Sequence, residues 1–125
     1  MPYQSFEELH AWKACREFRK SISILCRNFP KDEKYSLTSQ IIRSSRSVTA
    51  NIAEGHGRFH FQENIQFCRQ ARGSLTETLD HLLVASDEGY IDQAKLTELR
   101  MTYSDCLRLI NGYISYLKSR KSGDQ

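Results

Sequence analysis

Apolar residues recur every three or four positions through most of this chain, which is the spacing of a helix with one buried face. Four such segments are predicted, at about residues 6–28, 33–54, 61–87 and 92–119. No segment alternates with a period of two, so no β-strand is predicted. The polar tail, residues 120–125, is expected to fray.

Capping and helix-breaking residues mark the ends of these segments. Ser5 followed by Glu8 fits a capping box before the first helix, and Pro30 breaks the chain after it. Gly89 is placed to close the third helix, and Asp92 to cap the fourth. The connections are short, which favours antiparallel neighbours. We therefore predict an all-α fold, an antiparallel up-down-up-down four-helix bundle, as one domain of 125 residues.

The second predicted helix carries a polar face of mostly small side chains beside its apolar stripe. Ordinary solvated faces carry long charged side chains, which have high helix propensity. Small hydroxyl and amide groups instead allow close backbone approach and directional hydrogen bonds. This face predicts a helix that packs on two sides and ends in a left-handed residue near Gly55 or Gly57. Its members are Gln40, Ser44, Ser47, Asn51, Glu54 and Arg58.

The third predicted helix has a similar polar row, formed by Gln70, Ser74, Glu77 and His81. It also contains Gly73, and a glycine inside a helix costs about 1 kcal/mol relative to alanine. We therefore expect Gly73 to serve close backbone packing. Two interpretations are open: the two polar rows bond to each other, or they face a partner subunit or a pore. An oligomer seam or inner wall would use Ser44, Ser47, Asn51, Glu54, Gly73, Ser74 and Glu77.

Positive charge is concentrated in the first part of the chain, although the net charge is only +3. Residues 1–73 carry 12 Lys/Arg against 7 Asp/Glu, whereas residues 74–125 carry 6 against 8. Arginine suits bidentate phosphate contact and interface ion pairs. The alternative is an ordinary solvated face, because the pI of about 8.7 lies below the value above 9 of many dedicated binders. The predicted nucleic-acid contacts are Arg43, Arg46, Arg58, Arg69 and Arg72.

Catalytic, cofactor and metal motifs are not recognisable in the sequence. HExxH, GxxxxGK[ST] and GxGxxG are missing. His56, His60 and Glu63 have helical spacing, but Gly57 lies between them in an expected turn and breaks the register. We interpret these histidines as loop residues that bind nothing. The protein is therefore predicted not to be an enzyme, with no cofactor and no metal.

The cysteines and the absence of long apolar runs indicate a cytoplasmic protein. Cys15, Cys26, Cys68 and Cys106 form no CxxC pair and lie on or beside apolar stripes, as small buried thiols do in a reducing compartment. No run approaches the roughly 20 apolar residues that a membrane span requires. The N-terminus also lacks the pattern of a secretory signal. No membrane partner is expected.

The blocks QIIRSSRSVTANIAEGHGR and FCRQARGSLTETLDHL resemble a four-helix-bundle family typified by proteins encoded in intervening sequences of bacterial large-subunit (23S) ribosomal RNA genes. The resemblance covers nearly the whole chain, including FEELHAWKACREF near its start. The most specific part is the block from Asn51 to Gly55, and Ser45 and Thr49 are mild departures from the family pattern. The remaining matches are Gln40, Arg43, Ser44, Ser47, Val48, Gly57, Arg58, Phe67, residues 71–75 and Glu77.

The resemblance implies a shape more than a chemistry. Members of this family are similar to antiparallel bundles that assemble into five-fold rings, so a homopentamer is expected. A relative with a similar fold, the accessory variability determinant of diversity-generating retroelements, is a basic pentamer that binds nucleic acid and a partner reverse transcriptase. In such a ring, the polar row from Ser47 to Arg58 would form the subunit seam or the inner wall.

Two classes of function follow from the sequence. The first is a non-enzymatic oligomeric bundle that associates with RNA or DNA through arginines of the second and third helices. The alternative is a protein–protein interaction scaffold with no nucleic-acid role, because aromatics near helix ends often anchor interfaces. The aromatics in question are Tyr3, Phe59, Phe61, Tyr90 and Tyr116.

Overall fold

Four α-helices make up most of the molecule, and the computed structural model describes residues 5–123. The helices are α1 His10–Cys26, α2 Leu37–Gly57, α3 Phe61–Asp87 and α4 Gln93–Gly123. A 3₁₀ turn precedes α1 at Phe6–Glu8, and another precedes α2 at Lys31–Glu33. No strand occurs between residues 5 and 123. The predicted all-α fold is confirmed.

The helices form a closed bundle in which each packs on two neighbours: α1 on α2 and α4, and α3 on α2 and α4. Ser44 meets Thr78 of α3, whereas Gly55, further along α2, lies against Asn64, nearer the start of α3. Residue numbers therefore rise along α2 as they fall along α3, so the two helices are antiparallel. Asn64, at the start of α3, bonds to Tyr113 in the second half of α4, as antiparallel neighbours require.

The core consists of the apolar stripes that the spacing predicts. Aliphatic and aromatic side chains from all four helices are buried together, and burial of this kind supplies most of the driving force for folding. The four cysteines are buried and form no disulfide, as small core side chains do. The largest side chains with almost no exposure are Phe18, Ile22, Ile41, Ile52, Ile65, Leu75, Leu82 and Ile110.

The start of the first helix differs from the prediction. Leu9 has an extended backbone (φ −69°, ψ 129°) and separates the 3₁₀ turn from α1, so the predicted helix at 6–28 is divided and ends at Cys26. The Ser5 hydroxyl caps this turn by accepting from the Glu7 amide at 3.2 Å. The predicted capping box with Glu8 is wrong, because the Ser5 hydroxyl accepts from the Glu7 amide, and the Glu8 amide donates to the Ser5 carbonyl instead.

The ends of α2 also differ from the prediction. Ser36 has a non-helical backbone (φ −119°, ψ −105°), so α2 begins at Leu37 rather than near residue 33. The helix passes through Gly55 and ends at Gly57. The left-handed residue after it is Phe59, with φ 55°, and neither of the two glycines takes that conformation.

The third and fourth helices begin and end close to the predicted residues, except at the C-terminus. Gly89 closes α3 with φ 79°, and the Asp92 carboxylate caps α4 by accepting from the Lys95 amide at 2.8 Å. However, α4 continues to Gly123, so the expectation that residues 120–125 fray is wrong for 120–123. Residues 124 and 125 lie outside the described part.

Candidate functional site

The polar rows of α2 and α3 bond to each other inside the chain. The hydroxyls of Ser44 and Thr78 are 2.8 Å apart and buried, and those of Ser47 and Ser74 are 3.0 Å apart. Asn51 Nδ2 donates to both the carbonyl and the hydroxyl of Ser47. We call these five residues the polar seam. Of the two open interpretations, the intramolecular one is realised at these positions.

Gly55, and not Gly73, is the glycine at which two helices approach closely. A Cβ atom added to Gly55 would lie 2.7 Å from Asn64 Oδ1 and 2.8 Å from the Cβ of Phe67. A Cβ atom added to Gly73 would meet nothing within 4 Å. The prediction that Gly73 serves backbone packing is therefore wrong within this chain, because its Cα faces outward from α3.

Asn64 connects this close approach to α4. Its side-chain amide donates to the Tyr113 hydroxyl at 3.1 Å, and its Oδ1 accepts from the Cys68 thiol at 3.5 Å. Burial raises the pKa of Cys68 to about 12, so this thiol stays protonated and able to donate. The buried side chain of Asn64 is thus held on both sides.

The other residues that were predicted to form an oligomer seam or inner wall lie on the outer surface of α2 and α3. Glu54 is exposed and accepts from Arg58 at 2.9 Å, and Glu77 is exposed and lies 3.1 Å from the His81 ring. Gly73 is exposed near the middle of α3. These three positions remain available to a second subunit.

The five predicted arginines do not come together in one site. Arg43 is exposed on α2, and Arg46 lines a groove between α1 and α2. Arg58 is paired with Glu54, and its guanidinium lies 5.1 Å from the ring centre of Phe67. Arg69 and Arg72 lie on the opposite side of the bundle, facing α4.

Four cations gather along the groove between α3 and the last turns of α4, and we call them the basic groove: Arg69, Arg72, Lys118 and Lys121. Arg69, Lys118 and Lys121 line a cavity of about 350 Å³. Arg72, three residues further along α3, donates a 2.7 Å hydrogen bond to Asn111 of α4. Within residues 5–123, none of the four forms an ion pair with a carboxylate.

Lys118 and Lys121 were missed by the reading of the sequence. The signal was the cluster Lys118, Arg120 and Lys121 near the C-terminus, part of which was assigned to a frayed tail. Because α4 extends to Gly123, these lysines stand on an ordered helix beside α3. The Lys121 ammonium also donates a hydrogen bond to the side-chain oxygen of Gln62.

A second groove lies between α1 and α2, with a volume of about 580 Å³. Arg19, Lys20 and Arg46 line it together with Trp12. The Arg19 guanidinium is held by a 3.1 Å hydrogen bond to the hydroxyl of Thr49. Lys20 forms an ion pair with an exposed carboxylate: its Nζ lies 3.6 Å from Oε2 of Glu17.

Three of the predicted interface aromatics meet at one end of the bundle, around a cavity of about 430 Å³ that we call the end pocket. Tyr90 lies at the other end, 5.7 Å from the Phe29 ring. Tyr3 lies outside the described residues. The predicted aromatic surface is therefore not continuous. The residues that line the end pocket are Leu9, His56, Phe59, His60, Phe61, Asn64, Tyr113, Tyr116 and Leu117.

The two histidines of the His56, His60 and Glu63 trio both line the end pocket, but Glu63 is exposed outside it. Between residues 5 and 123, no three His, Cys, Asp or Glu side chains are grouped so that they could hold a metal ion. Over the same span, no helix is long and apolar enough to cross a membrane.

These features define a class of protein: an all-α, antiparallel four-helix bundle whose exposed grooves carry cations. The sequence matches the 23S rRNA-intervening sequence protein family over residues 7–112, and the chain belongs to this family. The resemblance seen in the sequence is therefore confirmed. Comparison with curated proteins finds no match.

The fold is also similar to a solved structure. That structure is a protein of unknown function from the S23 ribosomal protein family of Bacteroides thetaiotaomicron. The two share a TM-score of 0.77 and 22% sequence identity, over 84% of this chain and 95% of that chain. At this identity the likeness shows the common fold.

Proposed function

We propose that this protein is a non-enzymatic, oligomeric helical bundle that binds RNA or DNA through the basic groove. The observation that carries the proposal is the set of four cations along α3 and α4 that have no carboxylate partner within residues 5–123. Unpaired cations aligned along one groove attract a phosphate backbone, and each contact releases a condensed counterion.

The groove also provides geometry for phosphate contact. Arg72 is held at 2.7 Å by Asn111, which leaves other guanidinium N–H groups for a phosphate oxygen. Lys118 and Arg69 are exposed on facing helices, so both sides of the groove present charge. Of the arginines first predicted on α2, Arg58 contributes less, because it is already paired with Glu54.

The test is titration of labelled RNA and DNA oligonucleotides by fluorescence anisotropy at about 50 mM salt and above. The triple variant Arg69→Gln/Lys118→Gln/Lys121→Gln is expected to bind roughly tenfold or more weakly. The slope of log affinity against log salt should fall by about 2, since each single-strand phosphate contact contributes about 0.7. The matched control removes the same charge at the other end of the bundle: Lys31→Gln/Lys34→Gln/Arg100→Gln.

Equal losses of affinity in the two triple variants would show that binding depends on net charge and not on a particular site. That result would contradict binding through the basic groove. Absence of binding by the unchanged protein at about 50 mM salt would contradict the nucleic-acid function itself. The protein–protein scaffold would then be the remaining function of the two.

Assembly and location are part of the same proposal. The resemblance implies a five-fold ring, and the residues on the outer surface of α2 and α3 are available for its seam. We place the protein in the cytoplasm, where four buried free thiols persist without oxidation. Mass by light scattering, with and without added RNA, tests the assembly. A species of 14.5 kDa in both samples would contradict it.

A further inference from the structure

We infer that the end pocket receives an unpaired base of a single-stranded nucleic acid whose phosphates lie in the basic groove. This inference rests on the proposed function and specifies the substrate class. Proteins that bind single strands combine a cationic track with aromatic side chains on which bases stack. The end pocket and the basic groove place these two elements side by side.

The pocket has the composition of a site for a planar aromatic group. Its volume of about 430 Å³ falls within the ~300–1,000 Å³ of typical small-molecule sites. Among residues 5–123, no carboxylate lines it, so an electron-rich ligand meets no carboxylate repulsion from that part of the chain. Tyr116 is 55% exposed at its mouth and stacks on Tyr113, with ring centres 6.3 Å apart and planes 12° apart.

A hydrogen-bond donor stands at the wall of this pocket. The Tyr113 hydroxyl accepts from Asn64 Nδ2, and its own hydrogen has no acceptor within residues 5–123. Asn64 cannot turn away to serve another group, because Oδ1 of the same amide accepts from Cys68. A fixed donor beside a stacking surface suits the carbonyl and ring-nitrogen acceptors of a nucleobase.

The pocket and the basic groove are neighbours, because residues from the first turns of α3 and the last turns of α4 line both. Tyr116 and Leu117 line the pocket, and Lys118, the next residue, lines the groove. The Arg120 guanidinium lies 5.9 Å from the ring centre of Phe61, a pocket residue, and adds a cation at this end of the bundle. A strand whose phosphates contact the lysines therefore has a base within reach of the pocket.

A base site in the end pocket favours single-stranded nucleic acid over a duplex. A base inside a duplex is stacked and paired on both sides, and removing it costs a few kcal/mol. A base in a single strand is free to enter at little cost. The pocket therefore predicts preference for single strands, whereas the basic groove alone would bind both.

The test uses a labelled 12-nucleotide RNA, its duplex, and inorganic polyphosphate, which has the charge but no bases. Tyr116→Ala should weaken binding of the single strand roughly 5- to 150-fold, the range of base–aromatic stacking. Tyr116→Phe should retain it, and neither change should alter polyphosphate binding. Tyr35→Ala is the matched control, because Tyr35 is 86% exposed at the other end beside Lys34.

The outcomes separate this inference from the proposed function. If Tyr116→Ala binds the single strand as the unchanged protein does, the end pocket is not a base site and the basic groove still stands. If single strand and duplex bind equally, the same conclusion follows. If no nucleic acid binds the unchanged protein, the proposed function fails first. An equal loss on polyphosphate would show a structural effect of the variant and overturn the base-site inference.

Discussion

At the scale of single residues, Gly55 and Gly73 have opposite roles although both lie inside helices. Gly55→Ala should destabilise the protein by about 1–3 kcal/mol, as overpacking does. The added methyl would meet Asn64 and Phe67 below 3 Å, and Asn64 is held by a hydrogen bond to Tyr113 of α4. In the dissociated chain, Gly73→Ala should stabilise the fold by about 0.5–1 kcal/mol, because within one chain the site is open and alanine favours the helix. Urea unfolding of both variants checks these signs.

Each glycine variant serves as the control for the other. A loss of stability in Gly73→Ala would indicate a contact that the single chain does not contain, such as one with a second subunit. A neutral Gly55→Ala would show that α2 and α3 can separate at little cost, against the close approach described above.

The residue-level predictions from the sequence succeeded where the helical register was decisive. The polar rows of α2 and α3 were expected to pack together as one alternative, and Ser47 with Ser74 shows that contact. Gly73 was misassigned because its cost to the helix suggested a packing role. It lies two residues after Ala71 and two before Leu75, both buried, so the helical register places it on the opposite, exposed face of α3.

At the scale of elements, one hydrogen bond connects the turn before α2 to the chain before α4. The Tyr90 hydroxyl donates to the Glu33 carboxylate at 2.7 Å, and the Glu33 side chain also accepts from the Leu37 amide at 3.3 Å. The hydrogen bond to Glu33 is the main reason that the pKa of Tyr90 rises to about 12; burial and nearby carboxylates add to it.

The raised pKa of Tyr90 predicts a loss of stability at high pH. The folded state holds this proton more tightly than the unfolded chain, whose tyrosine pKa is about 10. The contribution is therefore complete below pH 10 and is lost as the pH rises through about 12. Tyr90→Phe should be less stable at neutral pH, and its deficit should shrink between pH 10 and 12.

Thermal unfolding at a series of pH values measures this deficit. The comparison with the unchanged protein is needed because the pKa values of Cys26 and Cys68 are also raised by burial, to about 11 and 12. Tyr35→Phe is the control, since that tyrosine is 86% exposed. A deficit that stays constant up to pH 12 would show that the hydrogen bond to Glu33 does not raise the pKa of Tyr90.

The number and order of the helices followed from the sequence, but their ends followed only in part. The bounds of α3 match the prediction because Gly89 and the apolar stripe act locally. The interruption at Leu9 was not predicted, because its apolar side chain fits the helical stripe while its backbone is extended. A glycine was expected to take the left-handed conformation after α2, but Phe59 takes it, with φ 55°. The short connection between α2 and α3 therefore determines that conformation.

At the scale of the whole molecule, the basic groove arises from pairing between distant segments. Arg69 and Lys118 are far apart in sequence and share a groove only because α3 and α4 are antiparallel. The sequence identified the arginine half of this surface and missed the lysine half. It also grouped Arg46 with Arg69, although the bundle places them on opposite sides.

The position of the contact between subunits is a further prediction. It follows from the contacts that the polar seam already makes within one chain. Ser44 is buried against Thr78, and Ser47 is bonded to Ser74, so a second subunit has little access to them. Gly73 has no side chain, and a Cβ atom added to it would meet no other atom of residues 5–123 within 4 Å, so the backbone of another helix has room to approach there. We therefore expect a ring seam centred on Gly73, and Gly73→Arg should block it.

Light scattering should give the unchanged protein a mass about five times 14.5 kDa and Gly73→Arg a smaller mass. Circular dichroism should show that Gly73→Arg stays helical, because arginine has a higher helix propensity than glycine. Ser104→Arg adds the same charge at an exposed position of α4 and should leave the mass unchanged. If Gly73→Arg retains the full mass, the seam lies on another face. The groove between α1 and α2, lined by Trp12 and Arg46, is then the next candidate for the subunit contact.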